Sequence, residues 1–204
     1  MHLVIGLGNP GRRYERTRHN AGFLVVDRLA ERVGARVERK QLGALVDSIR
    51  VPEVDDALVL AKPQGFMNLS GQPAASLRGY YKVRTEDVVV VHDDVDLPFG
   101  DVRVKKGGGH GGHNGLRDLQ EKLGGGGFVR VRFGVGRPPP GWDTADYVLA
   151  NFSSEEEARL PELVDEAADT VVLVARLGVD RAMNQVNARP RAASATGPQA
   201  GEAS

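Results

Sequence analysis

The chain has 204 residues, of which 41% are hydrophobic and none is cysteine, so it suits one packed domain and excludes a disulfide scaffold, a thiol nucleophile and cysteine-ligated metal sites. Lys and Arg total 27, as do Asp and Glu, and the zero formal charge argues against a generic polyanion binder. Because there is no secretory signal and no apolar run of about 18 residues, the sequence predicts a cytoplasmic protein without a membrane span.

Apolar spacing divides the chain into alternating strands and helices. Short apolar or alternating runs bounded by turn residues predict strands over 2–7, 45–51, 57–61, 88–91, 101–106 and 128–135. Helical spacing predicts helices over 20–34, 69–81 and 114–123, and a last helix from Ser153 that Pro161 either kinks or restarts. This order predicts an α/β fold, a single-domain three-layer sandwich in which helices flank a mixed, mostly parallel central sheet.

Charge is concentrated in one part of the chain. Between Gly100 and Arg137 eight residues are basic and three are acidic, so the neutral total hides a basic segment. Beyond Asn187 the chain is rich in Ala, Pro, Gly, Ser and Thr and has almost nothing to bury. The sequence therefore predicts a folded domain over residues 1–187 and a disordered tail over 188–204.

The segment from Gly6 to Gly11 matches the dinucleotide pattern GxGxxG directly after a predicted strand. The context of a dinucleotide site is missing, because Pro10 removes a backbone N–H and no helix opens at Gly11. No acidic residue ends a second strand about 20 positions later either. The segment is then a tight turn, either without a ligand or presenting the amide of Asn9.

Two segments carry groups that can move a proton. His19 lies between a basic loop and a helix start, and since a free imidazole titrates near pH ~6.5 it is either a general base or a structural histidine. His92, Asp93, Asp94 and Asp96 follow the predicted central strand, where α/β proteins bind ligands. Three interpretations stay open for them: a divalent-metal site, one carboxylate that orients a histidine, and a solvated turn.

Two further segments place polar groups beside breaks in the predicted elements. Residues 107–116 form a glycine-rich loop with His110 and His113 that leads into a helix. The loop can bind an anion, it can bind a metal ion through the two histidines, or it is a mobile loop without a ligand. Residues 66–71, between a strand and a helix, either expose an aromatic ring, a thioether and an amide together or pack the first two into the core.

These segments, in this order, resemble bacterial peptidyl-tRNA hydrolase. The matching sequences are GLGNPG at 6–11, Tyr14 with TRHNAG at 17–22, FMNLSG at 66–71, HDDVDLP at 92–98 and GGGHGGHNGL at 107–116. The resemblance spans roughly residues 1–187, and the glycine run 124–127 and the tail depart from the family pattern. It implies a single-domain enzyme, usually monomeric and working without a metal or other cofactor. Such an enzyme cleaves the ester between a peptide and the 3′ ribose of tRNA.

The resemblance also implies roles for individual residues. His19 is then the catalytic histidine, Asp93 its carboxylate partner, and Asn9 the amide that senses the substrate's first peptide bond. The residues implied to hold the substrate and the tRNA end are Tyr14, Phe66, Met67, Asn68, His113 and Asn114. The cations expected to hold phosphates of the acceptor stem and 3′ CCA end are Arg103, Lys105, Lys106, Arg130 and Arg132.

Two other functions stay open on the sequence alone. A metal-dependent hydrolase would draw its ligands from His92, Asp93, Asp94, Asp96 and one of His110 and His113. An RNA-binding module without catalysis would use only the basic strand and the glycine loop. The weakness of the second alternative is that aromatic residues, which stack on unpaired bases, make up 5% of the chain.

Overall fold

Seven strands form one sheet with parallel strands at its centre. A computed structural model describes residues 1–192, and its strands are β1 (His2–Gly6), β2 (Arg39–Gln41), β3 (Ala44–Ile49), β4 (Leu58–Pro63), β5 (Val88–Asp94), β6 (Val102–Lys106) and β7 (Val129–Gly134). Their order across the sheet is β2-β3-β4-β1-β5-β7-β6. β4, β1, β5 and β7 pair in parallel, whereas β3 and β6 run opposite to the other strands. The predicted mixed sheet is confirmed.

Helices cover both faces of this sheet. They are α1 (Ala21–Glu31), α2 (Gly71–Tyr81), α3 (Asn114–Leu123), α4 (Thr144–Val148), α5 (Ser154–Leu177) and α6 (Val179–Asn187). α1, α5 and α6 form one core with the sheet through residues such as Val25, Val171 and Val186. α2 and α3 form a second core on the other face through Leu77 and Leu119. The predicted three-layer α/β sandwich is therefore confirmed.

The two strands at the centre, β1 and β5, are buried on both faces because their side chains alternate between the two cores. Val4 and Val89 pack against α1, α5 and α6, whereas Leu3 and Val88 pack against α2 and α3. None of the four is more than 1% exposed. Fully burying one such side chain contributes about 1.5–3 kcal/mol, and this burial on two faces explains the unbroken valine run in β5.

Three elements are missing from the sequence prediction. β2 has three polar residues, and α4 is only five residues long, so neither carries a readable hydrophobic period. α6 begins after Gly178, where α5 ends, whereas the sequence predicts a last helix from Ser153 without a separate helix after it. Pro161 does not restart that helix, since α5 runs unbroken from Ser154 to Leu177 behind a Ser153 capping box.

The chain continues past α6 along the edge of the sheet. The Arg103 guanidinium donates to the carbonyl of Arg189 at 2.9 Å, and the N–H of Ala192 donates to Oδ1 of Asp101 at 2.5 Å. Residues 188–192, which the sequence places in the tail, thus have hydrogen bonds to β6 and the residue before it. The rest of the predicted tail, 193–204, lies outside the described residues. Within residues 1–192, none of the helices combines the length and apolar character needed to cross a bilayer.

Candidate active site

A cavity of 810 Å³ opens at the edge of the sheet where the parallel strands end. The end of β5 and the segments that follow β1 and β4 meet there, because the carboxyl ends of neighbouring parallel strands share one edge. They bring Asn9 and His19, residues 66–68 and residues 92–96 to one cleft. The glycine loop 109–112, the start of α3 and one side of α4 complete its walls.

Close packing of α1 on the sheet places His19 beside the end of β5. A Cβ on Gly22, in the first turn of α1, would lie 2.4 Å from the backbone nitrogen of Leu7 and 2.4 Å from the carbonyl oxygen of Val91. No side chain fits there, so glycine at this position permits the close approach of helix and sheet. The 3-10 turn Arg18–Asn20, immediately before α1, is thereby held against β5.

His19 and Asp93, which the resemblance pairs, are in contact. Nδ1 of His19 lies 2.9 Å from Oδ2 of Asp93, and the two side chains are 12% and 2% exposed. Burial lowers the pKa of His19, but the charge of Asp93 and its hydrogen bond outweigh burial and raise that pKa above its usual value. An imidazole that donates Nδ1–H to a carboxylate keeps Nε2 as its proton acceptor. His19 therefore has the arrangement of a general base.

Asp93 is held as a carboxylate by two histidines. Burial alone would raise the pKa of Asp93, but the electrostatic attraction and hydrogen bonds of His19 and His113 bring it well below its usual range. Nε2 of His113 lies 2.9 Å from Oδ1 of Asp93. Nδ1 of His113 accepts the backbone N–H of Leu116 at 3.3 Å as the N-cap of α3, so the ring hydrogen is on Nε2 and points to Asp93. His113, predicted as a substrate-binding residue, thus lines the cleft and also fixes this carboxylate.

The acidic segment at the end of β5 is not gathered around a metal position. His92 is completely buried and its Nδ1–H donates to the carbonyl of Asp93 at 2.8 Å. Burial, with the nearby His113, lowers the pKa of His92 to about 3. Asp94 pairs with Arg132 and Asp96 with Arg137, each at 2.7 Å. The ligand set of the alternative metal-dependent hydrolase is therefore dispersed.

One trio among the described residues has the composition of a metal site. Single ligand atoms of His19, Asp93 and His113 all lie within 4.8 Å of one another. Nδ1 of His19 and Nε2 of His113 already donate hydrogen bonds to the carboxylate, and Nδ1 of His113 accepts the N–H of Leu116. A metal ion there would require a new tautomer of His113 and the loss of the α3 cap. The observed hydrogen bonds thus fit proton transfer better than metal binding.

The amide of Asn9 has a fixed orientation. Its Oδ1 accepts the backbone N–H of Met67 at 2.7 Å, which leaves Nδ2 as the group available to a ligand. The side chain of Asn20 holds the backbone of Asn9 with two hydrogen bonds, one to its N–H and one to its carbonyl, each 2.9 Å long. The sequence predicts for Asn20 only a helix start, since no sequence pattern shows that its amide will bond the backbone of a residue 11 positions earlier.

The other residues predicted to hold the substrate line the same cavity. They are Tyr14, Phe66, Met67, Asn68 and Asn114. The ring of Phe66 is 59% exposed, so its aromatic face is open to a ligand, whereas Met67 is buried in the core beneath α2 and α3. Val148 and Leu149, at the end of α4, add an apolar wall that the sequence analysis does not foresee because α4 itself is not predicted.

Three of the five predicted phosphate-binding cations line the cavity. Lys105, Arg130 and Arg132 lie along its floor, beside the glycine loop. Part of the hydrogen-bonding capacity of Arg130 is already used within the protein, because its guanidinium donates to the carbonyls of Gly107 and Gly109. Arg132 is paired with Asp94, so Lys105 is the cation of this group with the least restrained charge. These three residues remain candidates for a tRNA contact.

The other two cations do not face the cavity, and for Arg103 the prediction is wrong. Arg103 is 6% exposed, and its guanidinium donates to three carbonyls at and after the end of α6. Lys106 lies on the side of β6 that carries α6, with Nζ 3.7 Å from the Asp180 carboxylate. Both misplacements arise because α6 is not predicted, so the sequence gives no reason for a basic residue to turn toward it.

Comparison with known proteins agrees with this geometry. Residues 3–194 match the family model described as Peptidyl-tRNA hydrolase. The peptidyl-tRNA hydrolase of Geobacter metallireducens is 54% identical over 185 residues, which cover 91% of this chain and 94% of that protein. That of Nocardia farcinica is 50% identical over 186 residues, 91% of this chain and 95% of the relative.

Solved structures give the same result for the fold. The crystal structure of peptidyl-tRNA hydrolase from Acinetobacter baumannii matches with a TM-score of 0.84 at 36% sequence identity, covering 92% of this chain and 95% of that one. The match therefore includes the whole sheet and both helical layers rather than one motif. In sequence and in fold, the chain belongs to the peptidyl-tRNA hydrolase family.

Proposed function

We propose that this chain hydrolyses the ester that joins a peptide to the 3′ ribose of tRNA, and so returns the tRNA for reuse in the cytoplasm. The observation that carries the proposal is the contact between His19 Nδ1 and Asp93 Oδ2, 2.9 Å long, at the wall of a cleft lined by carboxamides. The reaction as proposed uses one copy of the chain and no metal ion or other cofactor.

The reaction begins with water beside Nε2 of His19. The water oxygen bonds to the ester carbonyl carbon while its proton passes to Nε2, and Asp93 stabilises the imidazolium that forms. The tetrahedral intermediate then collapses, the bond to the 3′ oxygen breaks, and the proton returns from Nε2 to that oxygen. General-base assistance of this kind is worth about 10²- to 10⁴-fold in rate.

The oxyanion of that intermediate needs a hydrogen-bond donor. Asn68 and Asn114 line the cavity that also holds His19, and an amide N–H donor is the group we propose for this role. One donor directed at such an oxyanion is worth about 10²- to 10³-fold in kcat. The same amides can hold the attacking water, because a carboxamide both donates and accepts.

Asn9 supplies selectivity for a blocked amino group. Because Oδ1 of Asn9 is taken by Met67, its free Nδ2 is a donor and suits the carbonyl oxygen of the substrate's first peptide bond, the one nearest the ester. An unblocked aminoacyl-tRNA has an α-ammonium in place of that amide, and a donor facing a donor gains nothing. The arrangement therefore favours peptidyl-tRNA over ordinary aminoacyl-tRNA.

The tRNA body is held by charge, in our proposal. Lys105, Arg130 and Arg132 line the cavity and would contact phosphates of the acceptor stem and the 3′ CCA end. Phosphate contacts do not depend on base sequence and weaken with salt, which suits an enzyme that accepts nearly all tRNAs. Phe66 and Tyr14 offer aromatic faces on which the terminal bases can stack.

The decisive experiment compares an N-acetyl-aminoacyl-tRNA with its unblocked counterpart in the presence of a chelator. We expect rapid release of tRNA from the blocked substrate, slow release from the unblocked one, and no effect of the chelator. His19→Ala should lower kcat by about 10²- to 10⁴-fold while tRNA affinity is retained. Loss of activity with the chelator would indicate a metal-dependent hydrolase, and tRNA binding without cleavage would indicate a binding module.

A further inference from the structure

Arg18, the residue before His19, is a buried cation that joins two helices. Nη1 of Arg18 donates to the carbonyls of Tyr147 at 3.3 Å and Asn151 at 2.9 Å, at and after the end of α4. Nη2 donates to Oε2 of Glu156, in the first turn of α5, at 2.8 Å. The side chain is 8% exposed, and its guanidinium covers the Tyr147 ring with Cζ 4.2 Å from the ring centre.

The backbone around Arg18 makes the same connection. The N–H of Arg18 donates to the carbonyl of Ala150 at 3.1 Å, and Thr17 forms an antiparallel bridge with Asn151. α4 has five residues, far fewer than an isolated helix needs for stability, so its position depends on such outside contacts. A cation at the C-terminal end of a helix is also favoured by the helix dipole. Arg18 therefore helps to hold α4 in place, together with the buried side chain of Tyr147, whose hydroxyl donates to the carbonyl of Val135 at 2.7 Å.

α4 also lies against the turn Arg18–Asn20 that carries His19. Val148 and Leu149 line the same cavity as His19, and both are apolar where many neighbouring wall residues are polar. In the substrate of the proposed function, the apolar group nearest the ester is the side chain of the amino acid esterified to tRNA. An apolar wall beside the base suits that side chain.

We propose that Arg18 is a positioning residue that fixes the α4 wall, Val148 and Leu149, against His19, and that this wall receives the side chain of the esterified amino acid. The inference rests on the proposed function and adds an acyl-group preference to it. Removing the guanidinium frees the end of α4, and the wall then loses its fixed distance from the base. Substrates with an apolar side chain lose that contact, whereas a glycyl ester has no side chain to lose.

The test measures kcat/KM for N-acetyl-leucyl and N-acetyl-glycyl groups carried on the same tRNA. In Arg18→Met we expect the leucyl-to-glycyl ratio of kcat/KM to fall about tenfold, the scale of one apolar contact in a specificity pocket. Arg18→Lys should recover part of the ratio, because an ammonium can still reach the carbonyls of α4. Leu149→Ala, at a side chain on the surface, should lower the ratio similarly and should not add to Arg18→Met.

Arg16→Met is the matched control. Arg16 also pairs with the start of α5, at 2.6 Å from Oε1 of Glu157, but its side chain is 71% exposed and that pair does not involve α4. We expect the ratio to stay at the wild-type value. A purely structural role for Arg18 would lower kcat/KM for both substrates by the same factor and would overturn the inference.

Leu149→Ala keeps the inference testable if the Arg18 variants do not fold. An unchanged ratio in Leu149→Ala contradicts the wall as the side-chain site. These failures differ from failure of the proposed function, in which the wild-type protein would cleave neither N-acetyl substrate.

Discussion

Nε2 of His113 lies 2.9 Å from Oδ1 of Asp93, so the carboxylate that orients His19 also receives a hydrogen bond from the N-cap of α3. A carboxylate that is 2% exposed needs such partners, because an unpaired buried charge is costly. The second histidine thus stabilises the charged form of Asp93, and through it the orientation of the base. We therefore propose that His113 positions the base through Asp93, a role that does not require contact with tRNA.

His113→Ala should lower kcat while leaving the KM for peptidyl-tRNA nearly unchanged. The substitution removes one hydrogen bond from Asp93, so the pKa of Asp93 should rise toward its usual value and its hold on His19 should weaken. We expect kcat to fall about tenfold, the scale of one charge-assisted hydrogen bond. His110→Ala, three residues earlier in the same loop, is the control, because Nδ1 of His110 accepts the N–H of Gly112 and does not contact Asp93. Equal losses in the two variants would contradict this role.

The pH dependence of kcat/KM should report the environment of His19. The base must be deprotonated, and since Asp93 raises its pKa, activity should increase with pH to a plateau, with a midpoint above 6.5. Asp93→Asn removes the negative charge that raises the pKa of His19, whereas burial, which lowers that pKa, remains. The midpoint of the pH profile should therefore move to lower pH. The plateau should fall on the order of 10²- to 10⁴-fold, because an amide cannot accept from both histidines. A midpoint that stays in place would show that Asp93 does not set this pKa.

Asn9→Asp should separate recognition from folding. The new carboxylate can still accept the N–H of Met67, so the variant should fold, with a lower thermal midpoint because the new charge is buried, and the free Nδ2 donor is replaced by an acceptor. We expect kcat/KM for an N-acetyl-aminoacyl-tRNA to fall about 10- to 100-fold, the scale of one buried hydrogen bond left unmade. Cleavage of the unblocked aminoacyl-tRNA should fall less, because its α-ammonium would then meet a negative charge. A loss of equal size for both substrates would show that Asn9 does not discriminate between them.

The sequence predicts those helices and strands whose burial produces a regular pattern of hydrophobic residues. The valine run of β5 and the alternation of β7 are visible because one or both faces of each strand are buried. α4 is too short to show such a period, so the sequence does not predict it. Its five residues are held by Arg18 and by the packing of Tyr147, and the contact between these two joins residues 129 positions apart. No local pattern contains such a contact, so the wall that α4 forms is found only in the folded chain.

For the candidate site, too, the sequence predicts the identity of the residues but not the contacts that position them. His19 and Asp93 are recognisable as a pair through the motifs that surround them, but their contact depends on Gly22, which lets α1 approach the sheet. Which atom of Asn9 is free depends on Met67, 58 residues away. The role of Arg103 is misread because charge alone does not show that α6 will cover it. Sequence identifies the chemistry of these groups, and the long-range contacts decide which groups face the substrate.

Lys105 and Lys106 are adjacent in β6, and substituting each in turn tests which face of the protein contacts tRNA. Lys105 lines the cavity, whereas Nζ of Lys106 lies 3.7 Å from Asp180 on the other side of the strand. Lys105→Ala should raise the Kd for peptidyl-tRNA and reduce the slope of log K against log salt by about 1, as expected for one lost phosphate contact. Lys106→Ala should change neither.

An N-acetyl-aminoacyl ester of adenosine, which carries no phosphate, gives the second comparison. Its KM should be the same for the wild type and Lys105→Ala, because the removed charge has no phosphate to contact. If both lysine variants reduce the salt slope equally, the tRNA contact extends around the edge of β6 and the cavity floor is not its boundary. If neither does, the phosphates are held by Arg130 and Arg132, whose present hydrogen bonds to the glycine loop and to Asp94 would then have to open on binding.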